Sequence, residues 1–168
     1  REMESGFVKL NVQPFGLAQV IAEILDLYQL VAEEKSISLT ADPDAGDTTI
    51  EGDRSRIARA FANLVDNALK YTPKGGAVRI AFECRAEEVV TRVIDNGIGI
   101  PENEQSLVWQ RLFRGKLARE SEKGLGLGLN IVQIIVAAHG GTIGLESAAG
   151  HGTTFIVALP RTAKPNPV

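Results

Sequence analysis

The chain has 168 residues, 18.0 kDa, of which 44% are hydrophobic and 23% charged; this is the make-up of one folded domain that buries roughly two-thirds of its unfolded surface, and it excludes a disordered or collagen-like chain. Eighteen basic against 21 acidic residues leave a net charge of -3, and with no basic block to neutralise a run of phosphates, nucleic acid is not expected as a partner. A single cysteine, Cys84, excludes an internal disulfide, while two histidines and one methionine leave little material for a metal cluster.

Residues 1–6 are polar and give no fold signal. Phe7, Val8 and Leu10 are expected to open a strand, and Pro14 suits a helix start, where its missing N–H would be unpaired anyway. From Leu17 onward Val20, Ile21, Ile24, Leu25, Tyr28 and Val31 recur at helical spacing and predict one amphipathic helix ending near Glu34. Ile37, Leu39 and Ala41 alternate with polar neighbours as a strand does; a turn-rich run over 42–47 and a short strand over 48–51 follow. Asp53 reads as the cap of a second helix, whose stripe of Ile57, Ala60, Phe61, Leu64, Val65, Ala68 and Leu69 continues to Tyr71 before Thr72, Pro73, Gly75 and Gly76 stop it. Segments 78–84 and 88–94 flank a charged turn as an antiparallel hairpin, and 95–101 is a glycine-punctuated loop. A short helix is expected around 104–112, then a charged, weakly apolar stretch over 115–123. Leu127 to Ala138 is helical again, 142–146 and 153–158 form a terminal hairpin, and a proline-containing tail begins at Pro160. Helices segregated from a mainly antiparallel sheet define a two-layer α+β domain.

Three groups of residues can carry chemistry. On the second helix Asn63 and Asn67 stand four apart, with Lys70 and Tyr71 three and four beyond, so that all can line one face. That face offers amide oxygens to a cation, an ammonium to a phosphate and a ring to an apolar ligand surface, although taken alone the group reads more readily as asparagines that satisfy neighbouring backbone beside a solvated Lys70. The second group is Asp95-Asn96-Gly97-Ile98-Gly99-Ile100, where a carboxylate at a strand end can accept a hydrogen bond from a ligand and the glycines admit a planar group close to the backbone. By itself such a loop could also be a structural turn, while too few carboxylates follow Asp95 for a calcium loop. The third is Gly124-Leu-Gly126-Leu127-Gly128-Leu129 directly before a helix, a backbone N–H concavity suited to phosphates. It lies too late, and after a polar loop, for the dinucleotide fingerprint of a parallel βαβ unit.

Together the three groups resemble the ATP-binding catalytic domain of bacterial sensor histidine kinases, within the superfamily that also holds DNA gyrase, the Hsp90 chaperones and the MutL repair proteins. Asn63-Leu-Val-Asp-Asn-Ala-Leu-Lys-Tyr-Thr-Pro73 resembles the asparagine box, Asp95 to Ile100 the first glycine box, and Gly124 to Leu129 with Asn130-Ile131-Val132 the second. Trp109-Gln-Arg-Leu-Phe-Arg-Gly115 is similar, more loosely, to the phenylalanine box, and His139-Gly-Gly141 with Gly152-Thr-Thr-Phe155 through Leu159-Pro160 fits the family's ending. The resemblance implies a Bergerat-type sandwich, a mixed, mainly antiparallel sheet covered on one face by helices. It implies that Asn67 coordinates Mg2+ between the phosphates of ATP, that Asn63 faces the same region, that Lys70 contacts phosphate, and that Tyr71 lies near the nucleotide; Asn63, Asn67 and Lys70 are the implied catalytic set. Asp95 would take the adenine amine, Gly97 and Gly99 would admit the base, and Gly126 and Gly128 would line the phosphates. Ile100 and Leu127 are implied pocket residues and Arg114 an implied phosphate contact from a lid over 102–123; for these three a core or solvated role has equal standing.

Departures from the pattern narrow the reading. The gyrase, Hsp90 and MutL branch has a glutamate four residues before the magnesium asparagine, where this chain has Asn63, so a base for ATP hydrolysis is missing and the kinase branch is favoured. Leu125 replaces a usual threonine, and Trp109 and Leu112 replace usual phenylalanines. Neither histidine suits a phosphoacceptor: His139 ends a helix before two glycines, where a cap role is expected, and His151 sits in a hairpin turn. The resemblance therefore implies half an enzyme, a protein-histidine kinase domain that donates the γ-phosphoryl group of Mg-ATP to a histidine on its own or a partner's dimerisation domain, with a response-regulator receiver domain downstream. A nucleotide-sensing module without transfer and an interaction module are the alternatives. Residues 1–6 would be the end of the preceding phosphoacceptor helix, 7–160 the catalytic domain and 161–168 a tail. The first residue, Arg1, leads to the expectation of a processed or excised cytoplasmic piece, itself monomeric, of a homodimeric parent with room for an inner-membrane anchor.

Overall fold

The computed structural model describes residues 9–43, 46–110 and 127–163. The elements are β1 (Gln13–Gly16), α1 (Leu17–Glu34), β2 (Ser38–Ala41), β3 (Thr49–Gly52), α2 (Arg54–Tyr71), β4 (Ala77–Cys84), β5 (Glu88–Asp95), a 3-10 turn (Glu102–Glu104), α3 (Leu127–Ala138), β6 (Thr142–Ser147) and β7 (Thr153–Pro160). Five strands form one sheet in the order β2-β4-β5-β7-β6, with β2 parallel to β4 and every other neighbour antiparallel. Alternation along β4, β5 and β7 turns Val78, Ile80, Val89, Val93, Phe155, Val157 and Leu159 to one side, where they share a core with Leu17, Ile21, Ile57, Phe61, Leu64 and Ile135 of the three helices. This is the expected two-layer α+β sandwich.

The start of the chain departs from the sequence reading. Pro14 lies inside β1, not in a helix; β1 pairs antiparallel with β3 as a separate two-stranded ribbon, with Pro14 opposite Glu51. An edge strand tolerates proline's missing N–H. The helix begins three residues later because its end is capped from elsewhere: the N–H of Leu17 donates to the Thr48 carbonyl (3.1 Å) and that of Ala18 to Thr48 Oγ1 (3.0 Å). Leu10 lies outside any strand, and Phe7 and Val8 lie outside the described residues. A second departure is the 3-10 turn at 102–104, continued by turns through 110, where a helix over 104–112 was expected. Residues 111–112 of that span, and the stretch 115–123, lie outside the described residues.

Two buried links lock α2 between its neighbours. Asp53 caps α2 by accepting from Arg56 N (3.1 Å) and also takes the N–H of Asn11 (3.0 Å). His139, fully buried, accepts the Asp53 N–H through Nε2 (3.0 Å). With that nitrogen accepting, Nδ1 carries the proton and donates to the Ile135 carbonyl (2.9 Å). His139 thus caps its own helix, as expected, and joins the end of α3 to the start of α2. At the other end of α2, Lys35 Nζ donates to the carbonyls of Leu69 (2.6 Å) and Lys70 (3.4 Å), a cation at the negative end of the helix dipole.

Candidate functional site

Asp95 is the last residue of the central strand β5, and its Oδ1 accepts backbone N–H bonds from Gly97 (2.8 Å) and from Thr153 on β7 (3.2 Å). Burial pushes its carboxyl up to about 6, only partly offset by those two bonds. The loop beyond it is pressed on backbone from two directions. A Cβ on Gly97 would stand 2.3 Å from the Tyr71 carbonyl oxygen, and the next N–H, from Ile98, donates to that same oxygen (3.1 Å). Gly99 has φ of 73° and a Cβ there would fall 1.9 Å from the Ala148 carbonyl oxygen, so only glycine fits. Asp95, Gly97, Gly99 and the end of α2 at Tyr71 therefore form one assembly.

Along α2, Asn67 carries a buried amide nitrogen with no hydrogen-bond partner among the described residues. An orphaned buried amide is costly, and a ligand acceptor placed there would complete its bonding. Asn63 meets the start of α3: a Cβ on Gly128 would lie 3.3 Å from Asn63 Cβ and 3.4 Å from its Cγ. Lys70 pairs with Asp66 one turn back (3.0 Å), both partly exposed, and the two act on the phenol of Tyr28 from α1, which burial chiefly raises above its ordinary pKa. Ile100 is partly buried against the core; its N–H donates to Ser147 Oγ (2.8 Å) and its carbonyl accepts from Gln105 Nε2 (2.9 Å). Arg114 and Gly126 lie outside the described residues, and only the backbone of Leu127 is described, at the first position of α3. Trp109 sets its ring edge-on to Phe155 with centroids 5.9 Å apart, and its carbonyl accepts from Asn130 of α3 (3.2 Å).

The sequence reading did not place Thr153 or Ser147 at this site. Strand register brings them there: Val78, Asp95, Thr153 and Ser147 lie directly opposite one another across β4, β5, β7 and β6. Gly152-Thr-Thr-Phe155 fits the family's ending without implying a role for Thr153, and nothing local singles out Ser147.

No group of three or more His, Cys, Asp or Glu able to hold a metal exists among the described residues. The donor set fits a magnesium ion that arrives with phosphates: Mg2+ keeps several waters and takes few protein ligands, so the Asn67 amide oxygen alone would suffice, while its buried and unpartnered Nδ2 would donate to a phosphate oxygen.

The family model for histidine kinase-, DNA gyrase B- and HSP90-like ATPases matches residues 52–163. The chain is 36% identical over 151 residues to the sensor-like histidine kinase SenX3 of Mycobacterium tuberculosis, which covers 89% of this chain and 37% of SenX3. Among solved structures, the catalytic domain of the histidine kinase ThkA superposes with a TM-score of 0.80 at 31% identity, covering 90% of this chain and 99% of that domain. ThkA in complex with the response regulator protein TrrA matches at a TM-score of 0.77 and 29% identity, over 91% of this chain and 42% of that one. Full-length ShkA in complex with AMPPNP matches at 0.82 and 25% identity, over 96% of this chain and 33% of that one. The chain belongs to the histidine kinase-, DNA gyrase B- and HSP90-like ATPase family, with the fold of the histidine-kinase catalytic domain. It spans little more than a third of the length of SenX3. No helix among the described residues is long and apolar enough to cross a membrane.

Proposed function

We propose that this chain binds Mg-ATP and supplies its γ-phosphoryl group to a histidine carried by a separate phosphoacceptor domain. The observation that carries the reading is Asp95: a carboxyl drawn into the protein at a strand end, braced on one oxygen by two backbone N–H groups, beside a loop whose glycines are packed flush against backbone. Among the described residues its other oxygen, Oδ2, accepts no hydrogen bond, so the carboxylate keeps an acceptor for a ligand amine. Guanine, with a carbonyl at the corresponding edge, offers no donor there. Asn67 would hold Mg2+, which when bound balances charge on the phosphates, and Asn63, Lys70 and the start of α3 at Gly128 would border the phosphate region. Gly126 and Arg114 are carried by the family resemblance alone. At position 63, four residues before Asn67, an amide stands where activation of water would call for a carboxylate, and this favours transfer to an acceptor over hydrolysis.

Neither histidine of the chain suits the acceptor. His139 is fully buried with both ring nitrogens engaged, and His151 lies in the β6–β7 turn, so the acceptor belongs to another domain; a receiver domain of a response regulator would take the phosphoryl group next. Calorimetric titration with a nonhydrolysable ATP analogue should show binding that requires magnesium and is not matched by a GTP analogue. Labelled ATP mixed with a phosphoacceptor hairpin should then label the hairpin. A folded chain that binds neither nucleotide overturns the reading, and binding without label on a competent hairpin reduces it to nucleotide binding.

A further inference from the structure

We infer that Ser147 sets the polarity of the Thr153 hydroxyl beside Asp95, making that end of the pocket accept hydrogen bonds only and so select ligands that carry an exocyclic amine; this rests on the nucleotide reading above. Ser147 Oγ has three contacts: the Ile100 N–H (2.8 Å), the Gly152 carbonyl oxygen (2.8 Å) and Thr153 Oγ1 (2.7 Å). A serine hydroxyl has one proton and two lone pairs. The backbone N–H can only donate and the carbonyl can only accept, so the serine proton goes to Gly152 and one lone pair takes Ile100. Were the serine proton turned to Thr153, oxygen lone pairs would face each other at 2.8 Å across the Gly152 contact. The remaining contact therefore has Thr153 donating to Ser147, and Thr153 Oγ1 keeps only lone pairs for any other partner.

Strand register sets Thr153 directly opposite Asp95, whose Oδ1 takes the Thr153 N–H. A carboxylate and a hydroxyl that both accept match the two N–H bonds of an amine and oppose a carbonyl. Replacing Ser147 by alanine frees the Thr153 proton to turn outward and donate, which removes one of the two terms that exclude a carbonyl.

The test compares nonhydrolysable ATP and ITP analogues by calorimetry, since inosine exchanges the amine for a carbonyl at the same position. Ser147→Ala should lower the ATP-to-ITP affinity ratio about tenfold, largely through tighter ITP binding, while Ser147→Thr, which keeps the hydroxyl, should hold the ratio. In Ser147→Ala/Thr153→Val the gain in ITP binding should vanish. A merely structural role for Ser147 would weaken both nucleotides in parallel, and an unchanged ratio in Ser147→Ala overturns the inference. If that variant does not fold, Thr153→Val decides: it should weaken ATP severalfold more than ITP, and equal effects overturn the proposal. An unsubstituted chain that binds ATP with no change of ratio in the variants refutes only this inference, whereas one that binds neither nucleotide refutes the nucleotide reading and this with it.

Discussion

Asp95 has its carboxyl inside the protein, where charge is costly, yet the proposed contact with an amine needs that charge. Burial raises its pKa to about 6, so the carboxylate form is nearly complete at pH 7.5 and is lost as the pH falls below 6. ATP-analogue affinity should accordingly decline between pH 7 and 5, approaching tenfold per unit at the acid end, and calorimetry across that range should trace a single midpoint near 6. Asp95→Asn should remove this pH dependence and lower affinity at pH 7.5 at least tenfold, the loss expected for a hydrogen bond to a charged group. The reason is geometric: the amide oxygen can keep the bonds from Gly97 and Thr153 only by turning its NH2 toward the ligand amine, donor against donor. The same substitution removes a buried charge, so the melting temperature of the nucleotide-free variant at pH 7.5 should not fall. Unchanged affinity in a folded variant would show that the base binds elsewhere. Asp95 was legible in the sequence because its glycines follow within the same loop; Thr153 was not, because its bond to Asp95 spans 58 positions and exists only through the pairing of β5 with β7.

At the scale of elements, the least local feature is the start of α1. Gly16 contributes no side chain there, and both first-turn bonds run to Thr48, 30 positions away for the hydroxyl. Thr48→Val keeps the shape and the carbonyl but deletes the acceptor for the Ala18 N–H, and urea denaturation should register a loss of about 1 kcal/mol, restored by Thr48→Ser. A loss of zero would mean that water caps Ala18 as well as the hydroxyl does. This remote cap also explains which parts of the fold could be read from sequence. The periodicity of Leu17 to Leu25 and of Ile57 to Leu69 reports burial of one face, although Val31, expected on the first of these faces, is exposed; both helices end where the pattern predicts, at Glu34 and Tyr71. Alternation likewise located β4, β5 and β7. The strand β3 was legible at 48–51, but β1 escaped because Pro14 mimics a helix start as well as an edge strand, and the β1–β3 pairing escaped with it. Parallel pairing of β2 with β4 has no local signature, since it depends on α2 and β3 crossing between them.

Across the whole molecule, two buried groups titrate with opposite effects on stability. His139 is held below its ordinary 6.5, chiefly by burial and further by Arg56, against the opposing pull of the Ile135 carbonyl and the Asp53 carboxylate. Its folded-state pKa is depressed, so the unfolded chain takes up the proton first; the stability it contributes is present above 6.5 and declines as pH falls through the folded pKa. Asp95 has the reverse sign. Its folded pKa, about 6, exceeds the ordinary 3.8, so the folded state binds the proton more tightly and stability declines as pH rises from 3.8 to 6. Below 6, where the two ranges overlap, the slopes oppose each other, each limited to about 1.4 kcal/mol per pH unit. Asp53 stays clear of this window: burial would raise it, but the N–H groups of Asn11 and Arg56, with the charges of Arg56 and His139, hold it below 3.8. In urea denaturation of the nucleotide-free chain the two contributions should therefore partly cancel below pH 6. Asp95→Asn should leave the histidine slope, with stability rising with pH, and His139→Gln, which keeps an acceptor for the Asp53 N–H but does not titrate, should leave the opposite slope. Parallel profiles in the two variants would show that one of these groups does not titrate between the folded and unfolded states as its surroundings require. Mg-ATP should tilt the profile upward toward neutral pH, because it binds the form in which Asp95 is charged and so stabilises the fold most where that form prevails.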